Sequence, residues 1–81
     1  MKEVILYTKE KCKLCDDAEA LLSLFDSEFP HRLVKRDIYQ NEEWLERYHL
    51  SIPVVEIGDR QLYGDSITYS NLYDQFMKAG K

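Results

Sequence analysis

The chain has 81 residues, 44% of them hydrophobic, and a formal net charge of −4 at pH 7. This length fits one small domain, which we place at residues 1–81. The acidic balance gives no support for nucleic-acid binding, which needs a clustered basic face, and no run approaches the roughly 20 apolar residues of a membrane span.

The N-terminal residues lead directly into a strand-like run of about five apolar residues, which is too short for the core of a signal peptide. We therefore expect a cytoplasmic location. The chain has two cysteines. In the cytoplasm such a pair is more often catalytic, redox-sensing or metal-binding than a structural cross-link.

The first predicted elements are a strand at residues 3–8 and a helix at about residues 13–27. Cys12 and Cys15 lie where the strand passes into the helix, with Cys12 at or next to the helix N-cap. Unpaired N–H groups and the positive end of the helix dipole both stabilise a thiolate at this position. This context makes the Cys-x-x-Cys spacing a candidate redox site.

The charges around Cys12 are mixed: positive at Lys9, Lys11 and Lys13, and negative at Asp16 and Asp17. We expect the helix start and the lysines to prevail, so that the pKa of the Cys12 thiol falls below its usual value of about 8.5. Cys15 lies nearly one helical turn further on and is expected to point inward. In dithiol exchange, Cys12 would attack first and Cys15 would resolve the mixed disulfide.

The remaining elements follow from turn residues and apolar spacing. Phe29-Pro30 is expected to end the first helix. The predicted elements after it are a strand at 31–38, a helix at 42–49 capped by Asn41, a strand at 54–57, a turn at Gly58-Asp59, a strand at 60–63, and a helix at about 67–78 capped by Asp65 or Ser66. The first strand, helix and second strand form a βαβ unit, which predicts a parallel pair.

The order β-α-β-α-β-β-α, with the two cysteines at the first strand–helix junction, resembles the thioredoxin-fold redoxins and, by size, their glutaredoxin-like branch. Two segments carry the resemblance. Tyr7-Thr8-Lys9 leading to Cys12-Lys13-Leu14-Cys15 is similar to the glutaredoxin C-P-Y-C site, and Ser51-Ile52-Pro53 is similar to its T-V-P. The resemblance implies an α/β thioredoxin-like fold: a four-stranded mixed sheet in the order 2-1-3-4, flanked by three helices on both faces.

The same resemblance implies a substrate groove beside the cysteines. Pro53 would be cis, Ile52 would pair its backbone with the substrate, and Lys9 matches a lysine that contacts glutathione. Gly64 and Asp65 would complete the groove. The segment from Tyr63 to Ile67 departs from the family's G-G-x-D-D pattern, so we expect weak coupling to glutathione, with Tyr63 filling part of the groove.

The function that these residues indicate is thiol–disulfide oxidoreductase activity in a monomer, with protein or small-molecule disulfides as substrates. It needs no metal or organic cofactor, and glutathione or a reductase would restore the dithiol. One alternative is a redoxin-fold binding module without significant turnover. Another is an iron–sulfur or zinc site that bridges two chains through Cys12. A zinc site within one chain needs further ligands, and His31 and His49, its main candidates, are expected at the surface.

Overall fold

The computed structural model describes residues 2–79, so the ends of the predicted domain at 1, 80 and 81 lie outside the described residues. The strands and helices, in chain order, are β1 (Lys2–Thr8), α1 (Lys13–Ser23), β2 (His31–Asp37), α2 (Glu42–Tyr48), β3 (Val54–Ile57), β4 (Arg60–Tyr63) and α3 (Tyr69–Ala79). Short 3₁₀ turns occupy Ile38–Gln40 and Gly64–Ser66. The predicted element order is confirmed.

The four strands form one mixed sheet in the order β2-β1-β3-β4. β1 runs parallel to β2 and antiparallel to β3, and β3 pairs with β4 in an antiparallel hairpin. Gly58 takes φ +64° in the two-residue turn of that hairpin, a conformation that glycine adopts at little steric cost. The sheet order and the thioredoxin-like α/β fold agree with the sequence prediction.

The two faces of the sheet are covered by different helices. Alternating residues of β1 explain this, since Val4 and Leu6 point to one face, and Ile5 and Tyr7 to the other. The first face packs on α1 and α3 through a cluster that includes Leu22, Phe25, Leu72 and Phe76. The second packs on α2 through Trp44, Leu45 and Tyr48. Among residues 2–79, no helix is both long and apolar enough to cross a membrane.

Helix α1 ends at Ser23, earlier than the pattern predicted. The N–H groups of Leu24 and Phe25 bond to carbonyls three residues back, at 3.1 and 3.0 Å, so the chain tightens into turns. These turns place Phe25 in the core, where its side chain is 1% exposed. The prediction that Phe29-Pro30 ends the helix was therefore wrong, because the bonds from Leu24 and Phe25 to carbonyls three residues back end it first.

Helix α3 begins at Tyr69 rather than near Ile67. Its N-terminal cap is Thr68, whose Oγ1 accepts the N–H of Asn71 at 3.1 Å, and not Asp65 or Ser66. Those two residues lie in the 3₁₀ turn, which closes when the Ile67 N–H donates to the Gly64 carbonyl at 3.1 Å. The second strand likewise ends at Asp37, one residue before the expected Ile38, because Ile38 begins the other 3₁₀ turn.

Candidate functional site

Cys12 and Cys15 lie at the junction of β1 and α1, as predicted. Cys12 is the N-cap of α1, and its Sγ accepts the backbone N–H of Cys15 at 3.1 Å. The two sulfurs are joined in a disulfide, with the Cα atoms 5.2 Å apart. Cys12 is partly exposed, whereas Cys15 is 1% exposed. The outer sulfur is thus the one that another molecule can reach.

The residue before Cys12 has an unusual backbone conformation. Lys11 takes φ +56°, and it is the one non-glycine residue with positive φ among residues 2–79. For an L-amino acid this left-handed conformation is costly. The Lys11 conformation changes the direction of the chain between the loop after β1 and Cys12. Cys12 itself has an extended backbone, with φ −123° and ψ 106°, and α1 starts at the next residue.

The peptide bond between Ile52 and Pro53 is cis, as the resemblance implied, and Pro53 is buried. The Pro53 carbonyl accepts the N–H of Gly64 at 2.9 Å, which holds the turn after β4 against it. The N–H of Ile52 donates to the Tyr48 carbonyl at 3.1 Å. A substrate strand beside Ile52 would therefore pair with the Ile52 carbonyl and not with its N–H, which is already bonded.

A groove of about 230 Å³ lies between α1 and the turn after β4. We call it the Pro53 groove; its lining residues are Leu14, Asp17, Ala18, Leu21, Pro53, Gly64, Asp65 and Ile67. It brings together three of the predicted substrate-binding residues, Pro53, Gly64 and Asp65. Tyr63, which we expected to fill part of such a groove, is not among its lining residues, and its hydroxyl donates to Gln61 Oε1 at 2.6 Å instead.

Lys9 lies in a different depression, of about 260 Å³, which also contains Lys11, Glu19 and Lys35. We call it the lysine cleft. Its Lys35–Glu19 ion pair, at 3.0 Å, is about half exposed and hence weak. The structure thus separates Lys9 from the other predicted substrate-binding residues, although the sequence resemblance grouped them.

The sequence did not single out Asp17, Ala18, Leu21 and Ile67 as groove residues. A signal for Ala18 and Leu21 was present, since they follow Leu14 at helical spacing along one face of α1, and Asp17 lies beside them on that face. Ile67 gave no such signal, because its place in the groove depends on the 3₁₀ turn.

The two histidines differ in their surroundings. The His31 side chain is 3% exposed and packs against Phe76, with ring centroids 5.1 Å apart, so the expectation that it lies at the surface was wrong. His49 is exposed, as expected. Within residues 2–79 there is no group of three or more His, Cys, Asp or Glu side chains that could hold a metal ion.

Tyr7 has a core position on the face covered by α2. Its hydroxyl accepts a hydrogen bond from Arg36 Nη1 at 2.9 Å, and its ring lies 4.2 Å from that of Tyr48, centroid to centroid. Burial raises the pKa of Tyr7 above its ordinary value, an effect that the Arg36 hydrogen bond opposes and the nearby Tyr48 reinforces. Tyr7 therefore has a structural role, packing between the sheet and α2.

Comparison with known proteins agrees with this fold. One solved structure, described as "Structure of a malarial protein", aligns with 98% of this chain and 97% of its own at a TM-score of 0.64. At 15% sequence identity, that likeness shows the fold alone. The sequence profile of the glutaredoxin-like domain (DUF836) matches residues 3–77, which include both cysteines and Pro53. The chain therefore belongs to the family of glutaredoxin-like domains (DUF836).

Proposed function

We propose that the protein is a dithiol–disulfide oxidoreductase in which Cys12 attacks and Cys15 resolves. The observation that carries the proposal is the difference between the two sulfurs. Cys12 is partly exposed at a helix N-cap, where its Sγ accepts the Cys15 N–H at 3.1 Å, whereas Cys15 is buried. The same N–H and the helix dipole stabilise negative charge on Cys12 once the disulfide is reduced.

In the first step, the Cys12 thiolate attacks one sulfur of a substrate disulfide. A new bond joins Cys12 Sγ to that sulfur, and the other substrate sulfur leaves as a thiolate that takes up a proton. In the second step, Cys15 loses its proton and attacks Cys12 Sγ, which breaks the mixed disulfide and releases the second substrate thiol. Two electrons pass to the substrate, and the protein is left with the Cys12–Cys15 disulfide.

A further turnover needs a reductant for that disulfide. Glutathione or a thioredoxin-type reductase would supply the two electrons, and a reducing compartment such as the cytoplasm would suit either. The separation of Lys9 from the Pro53 groove, with the altered Tyr63–Ile67 segment, supports weak use of glutathione. Recycling the oxidised protein with each reductant in turn tests this, and brisk turnover driven by glutathione would contradict it.

Reduction of insulin and of a small disulfide tests the proposed activity. The wild-type protein should turn over both, and Cys12→Ser should fall to the uncatalysed rate because the attacking sulfur is gone. Cys15→Ser should form a mixed disulfide with the substrate, visible by mass spectrometry, and should stop there. Formation of that adduct by Cys12→Ser instead would reverse the roles assigned to the two cysteines.

The rate of Cys12 alkylation as a function of pH provides an independent test. We expect the pKa of the Cys12 thiol to lie below the ordinary value of about 8.5. The matched control is Cys12→Ser, in which Cys15 alone remains and should react slowly because it is buried. A Cys12 thiol with an ordinary pKa, together with no reductase activity, would favour the binding module over the enzyme.

A further inference from the structure

The Pro53 groove has an apolar floor that begins at Leu14, two residues after Cys12 in the chain. Leu14, between the two cysteines in the chain, is 63% exposed, and the floor is continued by Leu21, Ile67 and the buried Pro53. At about 230 Å³, the groove is smaller than the roughly 300–1,000 Å³ that small-molecule pockets enclose. It therefore has room for one side chain of a longer molecule rather than for a whole small ligand.

The groove is lined by two acidic residues and by no basic one. The acidic residues are Asp17 and Asp65. Asp17 contacts Lys13 at 3.1 Å, but the pair is largely exposed, with 85% and 57% of the two side chains accessible, and is therefore strongly screened. Asp65 makes no ion pair within residues 2–79. A cationic group on a bound molecule would be attracted here, and an anionic group would be repelled.

The lysines near the cysteines do not line the groove, although Lys13 reaches its edge through the exposed contact with Asp17. Lys9 and Lys11 lie in the lysine cleft with Lys35, where Glu10, Asp16, Glu19 and Asp37 balance their charge. An anionic thiol compound such as glutathione would find no lysine lining the Pro53 groove. The lysines that could hold the carboxylates of glutathione are therefore not among the residues that line the Pro53 groove.

We propose that the Pro53 groove selects protein disulfides in which the attacked cysteine is flanked by an apolar residue and by a lysine or arginine. This inference depends on the proposed function, because a disulfide that reaches Cys12 must bring the residues beside it to Leu14 and the groove. The apolar residue covers Leu14, Leu21 and Ile67, and the cation lies near Asp65. Oxidised glutathione, which is anionic, is a poor substrate by the same reasoning.

The test uses disulfide dimers of three short, end-blocked peptides that differ only beside the cysteine: Leu and Lys, Ser and Lys, or Leu and Glu. With reduced protein at low salt, we expect kcat/KM for the Leu–Lys peptide to exceed that for Ser–Lys about tenfold, because an apolar contact is lost. The kcat/KM for the Leu–Lys peptide should exceed the kcat/KM for the Leu–Glu peptide roughly fivefold at low salt. This second ratio should shrink in high salt, because salt screens the charges.

Variants assign the charge preference to the groove. Asp65→Asn should lower the ratio of Leu–Lys to Leu–Glu rates, and Asp59→Asn, an exposed carboxylate in the distant β3–β4 turn, should leave it unchanged. The ratio is the readout because any effect of the substitution on Cys12 reactivity is common to both peptides. Equal rates for all three peptides, or faster reduction of oxidised glutathione, would overturn the inference and leave the oxidoreductase intact.

A binding experiment distinguishes failure of the proposed groove preference from failure of the proposed oxidoreductase activity. The Leu–Lys peptide with serine in place of cysteine is titrated into the oxidised protein, and amide shifts at Leu14, Leu21 and Ile67 are followed by NMR. Absence of turnover with these shifts present would refute the oxidoreductase but keep the groove preference. Absence of both would refute the two proposals together.

Discussion

Replacing Lys11 with glycine should stabilise the protein, although glycine usually destabilises. Lys11 holds φ +56°. That conformation costs an L-residue about 1–2 kcal/mol, and glycine avoids the cost. Glycine also lowers the free energy of unfolding by about 0.5–1 kcal/mol, because an unfolded chain with glycine has more conformational freedom to lose on folding. The difference spans roughly 0–1.5 kcal/mol, and its centre favours Lys11→Gly by about 0.75 kcal/mol, which for a domain of this size raises Tm by about 3–6 °C.

The measurement is urea and thermal unfolding of the oxidised protein, followed by circular dichroism. Lys11→Ala keeps the backbone cost and removes the side chain, so it should stay close to the wild type. Ala20→Gly, at an exposed position within α1, is the matched glycine control and should lose about 0.5–1 kcal/mol. If Lys11→Gly is destabilised to the same degree as Ala20→Gly, the loop before Cys12 does not hold the strain assigned to it.

Three further predictions concern the elements that support the site. Asn41→Ala should cost about 1 kcal/mol in urea unfolding, because its Oδ1 accepts the N–H groups of Glu43 and Trp44. Phe76→Ala should cost about 3–5 kcal/mol by the same measurement, since this ring is 2% exposed in the main core. Tyr7→Phe should be less stable than the wild type at neutral pH through loss of the Arg36 hydrogen bond, and the gap should narrow above pH 10.

The sign of the Tyr7 effect follows from proton linkage. The pKa of Tyr7 is raised by folding, so above the ordinary value of 10.0 the folded state binds more protons than the unfolded state. Stability of the wild type is then lost as the pH rises through that range, and Tyr7→Phe lacks this contribution. A stability gap between the wild type and Tyr7→Phe that widens above pH 10 would contradict the raised pKa.

For Asn41→Ala, an unchanged free energy of unfolding would contradict the stabilising role of the Asn41 side chain as the cap of α2.

Local patterns in the chain were sufficient to place the two cysteines. A strand followed by a helix, with Cys12 at their junction, predicted the N-cap position, because the unpaired N–H groups of a helix start depend only on neighbouring residues. The apolar run of β1 and the helical spacing of apolar residues in α1 and α2 predicted these elements themselves, because such patterns are local. The Asn41 cap and the Gly58 turn were predicted for the same reason, since each is complete within a few residues.

Contacts between distant segments decided the features that the sequence left open or misassigned. Helix α1 ended at Ser23 in a series of tighter turns, after which Phe25 packs against α3, and the 3₁₀ turn after β4 moved the cap of α3 to Thr68. The sequence alone placed Lys9 with Pro53, Gly64 and Asp65, but α1 projects between them and divides their surroundings into two depressions. Sequence thus determined the chemistry of each residue, and packing determined which residues share a surface, because distances between separate segments are set by the core that joins them.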